Sequence, residues 1–167
     1  LCESVTAIAF SVPARELETA WIGTLDQQLL RESLPSLGLV SFVGDESRLA
    51  RQYTRYRPFF RTAGPREEVN IPFTCPRDLE PVEIELPASN RSVTGLGIRQ
   101  REVFAVAGSN AQGKTTLLDG ILAGMDDHAA RDGREYVVTV PGLCSAEAMT
   151  SLMTGADISM FFSALPP

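Results

Sequence analysis

Histidine and cysteine are scarce in this sequence, which holds one histidine and three cysteines. Cys2, Cys75 and Cys144 are widely spaced, and an odd number of cysteines cannot pair completely. They form no Cys-x-x-Cys pair, so the pattern excludes a disulfide framework and the usual zinc sites. We therefore interpret the cysteines as reduced side chains of an intracellular protein. The cytoplasm is the expected location, with an organelle as the alternative.

Long hydrophobic runs are also absent, since no apolar stretch approaches the roughly 20 residues that a membrane-spanning helix needs. No membrane partner is expected, and the first residues lack the pattern of a secretory signal. The 15 basic and 21 acidic residues give a formal net charge of −6, which argues against a surface devoted entirely to nucleic acid. The opening at Leu1 and the end at Pro167 lead us to interpret the sequence as a segment of a longer protein.

A phosphate-binding pattern lies in the second half of the chain. Residues 108–115 read Gly-Ser-Asn-Ala-Gln-Gly-Lys-Thr and fit the pattern G-x-x-x-x-G-K-S/T, and we call them the phosphate loop. Its glycines let the backbone curve so that N–H groups face phosphates, and the positive end of the next helix adds to the attraction. The predicted nucleotide-binding residues are Gly108, Ser109, Asn110, Ala111, Gln112, Gly113, Lys114, Thr115 and Thr116.

Two members of this set have distinct predicted roles. The Lys114 ammonium is expected to bind the β- and γ-phosphates, and the Thr115 hydroxyl is expected to be a ligand of Mg²⁺. The surrounding pattern supports this, because residues 103–107 predict a buried strand before the loop and residues 115–124 predict a helix after it. The alternative is a glycine-containing turn between strand and helix, with Lys114 merely solvated.

The remaining sequence predicts a mixture of helices and strands. A capping-box spacing at residues 24–27 predicts a helix that ends near Leu34, and Trp21 is assigned to the core. Alternating or apolar runs predict strands or extended segments at residues 39–43, 82–86, 91–98 and 136–140. We expect an α/β fold. An amino-terminal α+β region would cover residues 1–80, and the first part of a P-loop nucleotide-binding domain would cover residues 81–167.

Two further clusters carry charge. Residues 48–66 hold six arginines and no acid, interleaved with tyrosine and phenylalanine, a composition that suits RNA through phosphate contacts and base stacking. The alternative is an exposed connection whose arginines pair with acids elsewhere. Asp126, Asp127 and His128, with Asp132 nearby, suggest a metal cluster, but we interpret them as loop residues because they follow the predicted helix end at Gly124.

Three pieces of the latter half resemble a known family. Residues 93–98, 113–119 and 132–139 are similar, in order and spacing, to the predicted ATPases of the ABC class. The resemblance implies an ABC-like nucleotide-binding core, ATP with Mg²⁺ as ligand, and a composite site completed across a homodimer or a pseudo-dimer. Ala111 departs from the pattern, because transporter-type ABC loops have a third glycine there.

The resemblance is incomplete in a way that concerns catalysis. The sequence contains neither the family's signature motif nor a hydrophobic run followed by Asp-Glu, which together would complete the site and activate water. It also lacks an Asn-Lys-x-Asp element that would read guanine, so ATP is favoured over GTP. We therefore expect weak ATP binding and very slow hydrolysis by this chain alone, and ATPase activity in the full protein.

Overall fold

The computed structural model describes residue 6 and residues 11–53, 60–62, 71–109 and 112–146. Two helices are present in these ranges, α1 (Ala14–Ser33) and α2 (Lys114–Ala123), together with a short 3₁₀ turn at Arg77–Leu79. Six strands accompany them: β1 (Leu39–Gly44), β2 (Arg51–Tyr53), β3 (Phe60–Thr62), β4 (Val82–Leu86), β5 (Arg91–Arg99) and β6 (Val137–Thr139).

Four of the strands form one antiparallel sheet in the order β4-β5-β1-β6, and β2 pairs with β3 in a separate two-stranded ladder. Strand β1 lies inside the larger sheet and contacts a neighbour on each side, with Phe42 opposite Gly97 of β5 and opposite Val138 of β6. Its side chains are buried at five of six positions, as expected for a strand covered on both faces. The sheet therefore combines strands from both sides of the expected boundary at residues 80 and 81, which itself stays a prediction.

Each face of the sheet is covered by one helix. On one face, Leu30 and Leu34 from the α1 end pack with Phe42, Ile84 and Leu86. On the other face, Ile121 of α2 and Cys75 belong to a second cluster with side chains of the sheet and its connections. The other members are Val43, Leu49, Leu96, Ile98 and Val137. Two helices on opposite faces of a sheet confirm the α/β expectation.

Most predicted elements are present with small changes at their ends. The strand at residues 82–86 coincides with β4, and the predictions at residues 39–43, 91–98 and 136–140 correspond to β1, β5 and β6. The predicted helix at residues 115–124 corresponds to α2 with its start one residue earlier. These segments carry clear local periodicities, which explains why they were predictable.

The predicted start of the first helix is wrong. Helix α1 begins at Ala14 after Pro13, whose fixed φ of −57° suits a helix start. Thr24 therefore lies inside the helix, where its hydroxyl donates to the Ala20 carbonyl at 3.1 Å. Gln27 is buried and makes tertiary contacts instead of completing a capping box. The capping-box spacing also satisfies the i−4 hydrogen bonding of a helix interior, and that use prevails here.

The assignment of Trp21 to the core is also wrong, because its side chain is 69% exposed. Residues 14–19 of α1 are exposed as well, and the first fully buried residues of the helix are Asp26, Gln27 and Leu30. The first half of α1 therefore extends past the sheet it packs on. Among the residues with a described position, no helix is both long and apolar enough to cross a bilayer.

Close approach of β1 and β5 depends on Gly95. A Cβ at this position would lie 2.7 Å from Gly44 Cα and nearer still to the Val43 carbonyl oxygen. We expect Gly95→Ala to lower the free energy of unfolding by about 1–3 kcal/mol, because neither backbone atom can move without separating the strands. Chemical denaturation measures the change.

Gly23→Ala is the matched control, because Gly23 lies in α1 and, among the described residues outside its own stretch of helix, nothing lies within 4 Å of the added Cβ. It is expected to raise the free energy of unfolding by about 0.5–1 kcal/mol through lower backbone entropy in the unfolded chain. Equal effects of the two substitutions would contradict the steric role of Gly95.

Candidate functional site

The phosphate loop leads directly into α2. Gly113 is the residue before the helix and has a φ of +79°, a left-handed conformation that favours glycine. The Leu117 N–H donates to the Gly113 carbonyl at 2.9 Å, which closes the first turn. The N–H groups of Lys114, Thr115 and Thr116 come before Leu117, the first helical donor, so they have no acceptor within the helix and are available for an anion at the helix start.

The orientation of α2 is fixed at its opposite end. The buried Thr139 hydroxyl donates to the Ile121 carbonyl at 2.6 Å, and the Thr139 N–H donates to the Gly124 carbonyl at 2.9 Å. Because the Thr139 proton is used in this way, the Ser41 hydroxyl, 2.8 Å away, is the donor to Thr139 Oγ1. These bonds attach the last turn of α2 to strands β1 and β6, and they thereby set the direction in which the first turn points.

Helix α2 buries one side, as its spacing predicts. Ile121 is buried and Leu117 packs against the same cluster, whereas Leu118 is 48% exposed. Gly120 allows the helix to approach Leu49 closely, since a Cβ there would lie 3.0 Å from a Leu49 methyl carbon. The helix is therefore seated by Leu117, Gly120 and Ile121.

Side chains of the loop stabilise its curve. Gly108 has a φ of +146°, and the Ser109 N–H donates to the Gln112 side-chain oxygen at 2.8 Å. The Lys114 ammonium donates to the Gly108 carbonyl at 2.9 Å and also to the Ser109 carbonyl. An ammonium has three protons, so these two bonds to described residues leave one for another acceptor. Lys114 thus joins the beginning of the loop to the helix start.

The predicted binding residues are mostly accessible. Gly108, Ser109, Gln112, Gly113 and Thr115 are exposed, and Lys114 and Thr116 are half-buried. Asn110 and Ala111 lie outside the described residues. The structure brings the described members together around the α2 start, and their role as nucleotide and magnesium ligands stays a prediction.

A cleft of about 910 Å³ adjoins the phosphate loop. One side consists of residues 112–117 together with Val106 and Ala107. The other side consists of residues 49–50 and 71–74, which the sequence did not connect with the loop. A volume of this size lies within the range of small-molecule sites.

The side of the cleft formed by residues 49–50 and 71–74, which we call the far side, is held in part by residues 45–47 that follow β1. The Phe73 N–H donates to the Ser47 carbonyl at 2.7 Å, and the Glu46 N–H donates to the Phe73 carbonyl at 2.8 Å. Asp45 accepts from the Cys75 N–H at 2.6 Å and from the Thr94 hydroxyl at 2.7 Å. Burial, and then the Asp45 charge, raise the pKa of the Cys75 thiol, so it stays protonated near neutral pH.

The Leu49 part of the cleft wall is fixed by a buried arginine. Arg134 donates from Nε at 3.2 Å and from Nη2 at 2.5 Å to the Leu49 carbonyl. Burial lowers the pKa of this guanidinium, Arg51 lowers it further, and Asp132 and Asp119 oppose the shift. An arginine stays charged at neutral pH even so, and its planar group holds the carbonyl in place.

The buried strand expected at residues 103–107 is wrong. This segment has no strand geometry, and Val103 is 95% exposed. Phe104 does pack against the α2 side of the core. Within the described part of the chain, no strand pairs with the segment. A run of apolar residues forms a sheet strand only where neighbours receive its N–H and C=O groups, so hydrophobicity alone misled the prediction.

Charged residues in the connection between α2 and β6 form ion pairs with α1, with β2 and with each other. Arg31 binds Asp127 with an N–O distance of 2.7 Å, and Gln28 donates to the other Asp127 oxygen at 2.9 Å. His128 Nδ1 lies 3.2 Å from Asp132 Oδ2, an oxygen that also binds Arg51. These residues fasten α1 and the start of β2 to the connection after α2. In the described ranges, no three His, Cys, Asp or Glu side chains are grouped to hold a metal ion.

The arginine-rich stretch is only partly described. The Arg51 guanidinium binds Asp132 and donates to the Arg48 and Ala50 carbonyls at 3.1 Å. This arginine follows the alternative interpretation, pairing with an acid from elsewhere in the chain. Side chains of residues 52–66 lie outside the described residues, so RNA binding by the stretch stays a prediction.

Lys114 carries a sequence signal that motif reasoning overlooked. It is the only lysine of the chain, and every other basic residue except the single histidine is arginine. None of the ion pairs among the described residues involves it. An ammonium with no carboxylate partner in these ranges, beside exposed main-chain N–H groups, is suited to an anionic ligand.

Comparison with known proteins decides the family. A family model described as ABC_ATPase, P-loop domain, matches residues 13–167. The chain belongs to the ABC_ATPase family. The expected resemblance is confirmed, and this P-loop family supports nucleotide binding as the general function.

A relative extends this comparison. The chain is 46% identical to an uncharacterized protein of Methanocaldococcus jannaschii, over 100% of this chain and 37% of that protein's length. The ABC_ATPase chain thus spans about a third of the length of the relative that it matches. The activity of a whole protein of this family is therefore a matter for proposal.

The Arg31–Asp127 pair predicts a specific pH dependence. Partial burial by itself raises the pKa of the Asp127 carboxyl, but hydrogen bonds from Gln28 and Arg31 outweigh it, so the pKa lies below its ordinary value. The ionised carboxyl therefore stabilises the fold above the unfolded-state pKa of about 3.9, and this contribution is lost as the pH falls through the lower folded-state pKa.

We expect Asp127→Asn to lower the melting temperature at pH 7 and to have a progressively smaller effect as the pH falls below about 4, because the carboxyl is protonated first in the unfolded chain and then, at lower pH, in the folded one. Melting curves of both proteins across this range measure it. Glu32→Gln, on an exposed position of α1, is the control. A deficit of Asp127→Asn that stays constant with pH would contradict the pairing.

Proposed function

We propose that the chain binds ATP with Mg²⁺ through residues 108–116, as part of an ABC-class ATPase that hydrolyses ATP when complete. The observation that carries the proposal is the position of Lys114. Its ammonium bridges two carbonyls of the phosphate loop at the start of α2, beside an open cleft. A polyphosphate there would meet a positive charge and a set of main-chain N–H groups at once.

The residues present fit ATP and Mg²⁺ chemically. The loop offers N–H donors and an ammonium to phosphate oxygens, and the exposed Thr115 hydroxyl offers the kind of oxygen ligand that Mg²⁺ takes beside phosphates. When bound, the metal ion neutralises charge on the phosphates. Lys114 and the α2 start would hold the β- and γ-phosphates in a fixed position, which is the main contribution a protein makes to phosphoryl transfer.

Hydrolysis in an ABC-class site is expected to use an acidic residue that activates water. Among the described residues that line the cleft, none is Asp or Glu. This supports the proposal that the acidic residue comes from another part of the whole protein or from a second copy. A site completed across a homodimer or pseudo-dimer, as the ABC class implies, would provide it.

The test is Lys114→Ala in the full-length protein. ATP affinity is expected to fall about ten- to a hundredfold, because charged hydrogen bonds to phosphate are lost, and ATP turnover is expected to fall with it. Titration calorimetry with ATP in the presence of Mg²⁺ measures the affinity, and a phosphate-release assay measures the turnover.

Arg15→Ala is the control, since it removes one positive charge from an exposed position of α1 away from the cleft. Both ATP affinity and turnover should match the wild type. If Lys114→Ala also left affinity and turnover unchanged, Lys114 would have no place in the site and the proposal would fail.

A further inference from the structure

The cleft beside the phosphate loop has two chemically different sides. The loop side has the polar groups, namely Lys114, two threonine hydroxyls, the Gln112 amide and main-chain groups of the α2 start, although Val106, Ala107 and Leu117 also line it. The far side presents mainly apolar side chains, those of Leu49, Ala50 and residues 71–73. A nucleoside triphosphate has the same division, with a charged chain at one end and a base with apolar faces at the other.

Ile71 is the most accessible apolar side chain on the far side. It is 72% exposed, whereas Leu49 is buried and Phe73 is half-buried against the core. Exposure of one large aliphatic residue needs no explanation by itself. Here, however, it lies in a cleft that a charged loop borders, next to the rigid ring of Pro72.

The backbone just after Ile71 and Pro72 is held in position. Two residues later, Phe73 exchanges main-chain hydrogen bonds with Ser47 and Glu46 at 2.7 and 2.8 Å. The Cys75 N–H is fixed by Asp45 at 2.6 Å. A ligand contacting Ile71 therefore meets a wall that is anchored two residues away, and such anchoring reduces the entropy cost of binding.

We propose that Ile71 and Pro72 form the nucleobase-binding wall of this cleft. The inference rests on the proposed function, since it takes the phosphate loop as the site of the triphosphate. The base packs one apolar face on the Ile71 side chain and the Pro72 ring while the phosphates extend toward Lys114. Such packing between a base and apolar side chains selects nucleotides over bare polyphosphate.

The test compares two probes in the full-length protein, ATP and inorganic tripolyphosphate, each with Mg²⁺ and each measured by titration calorimetry. Ile71→Ser should weaken ATP binding about fivefold or more, because the apolar contact with the base is lost. It should leave tripolyphosphate binding within about twofold of the wild type, since that ligand has no base. Ile71→Leu keeps an apolar side chain at this position and should retain most of the wild-type ATP affinity.

Leu79→Ser is the matched control, because Leu79 is 47% exposed and does not line the cleft. It should change neither affinity. Lys114→Ala should weaken both probes, since the phosphates are common to them.

The possible outcomes separate the two proposals. If Lys114→Ala weakens both probes but Ile71→Ser leaves the ratio of ATP to tripolyphosphate affinity unchanged, the wall is overturned and the phosphate site stands. An equal loss of both probes in Ile71→Ser also overturns the wall, because the loss would then not concern the base. If Lys114→Ala affects neither probe, the proposed function fails and the wall fails with it.

Discussion

The attachment of α2 to the sheet by Thr139 is the interaction on which the site depends. The buried Thr139 hydroxyl contacts the Ile121 carbonyl and the Ser41 hydroxyl, and the Thr139 main-chain N–H donates to the Gly124 carbonyl. The adjacent glycine makes this possible, because a Cβ on Gly124 would lie 2.9 Å from the Thr139 hydroxyl oxygen. A helix start can bind an anion only where the helix points at it, and these bonds set that direction.

Both sides of the cleft are held by hydrogen bonds that involve β1 or the residues directly after it. Through Ser41 and Thr139, β1 fixes the helix that carries the phosphate loop, and its exit at residues 45–47 fixes residues 71–75 on the other side. Strand β1 is itself buried and paired on both edges, so it is a rigid reference. The width of the cleft is therefore set by main-chain and buried hydrogen bonds, which vary less than contacts between exposed side chains.

Three arginines bind groups within the fold, and Lys114 differs from them. The arginines Arg31, Arg51 and Arg134 are used internally, on carboxylates or on carbonyls, and each joins segments far apart in the chain. Pairs of this kind are partly buried, so removing one partner leaves a charge that water only partly solvates. Lys114 differs, since its described partners are neutral carbonyls of its own loop. Lys114 lines the cleft, and within the described ranges its charge meets no acid.

The sequence by itself determined the phosphate loop, the helix after it and the strands β1, β4, β5 and β6, because each has a local pattern with a physical period. Tertiary structure decided the rest. The wall at residues 71–74 has no motif, and its place opposite Lys114 follows from hydrogen bonds to a turn about thirty residues earlier, such as Asp45 to Cys75. Trp21 and Val103 are apolar yet exposed, because burial needs a neighbouring surface that periodicity cannot reveal. A local pattern specifies which residues can share a face, and only the packed chain specifies what that face meets.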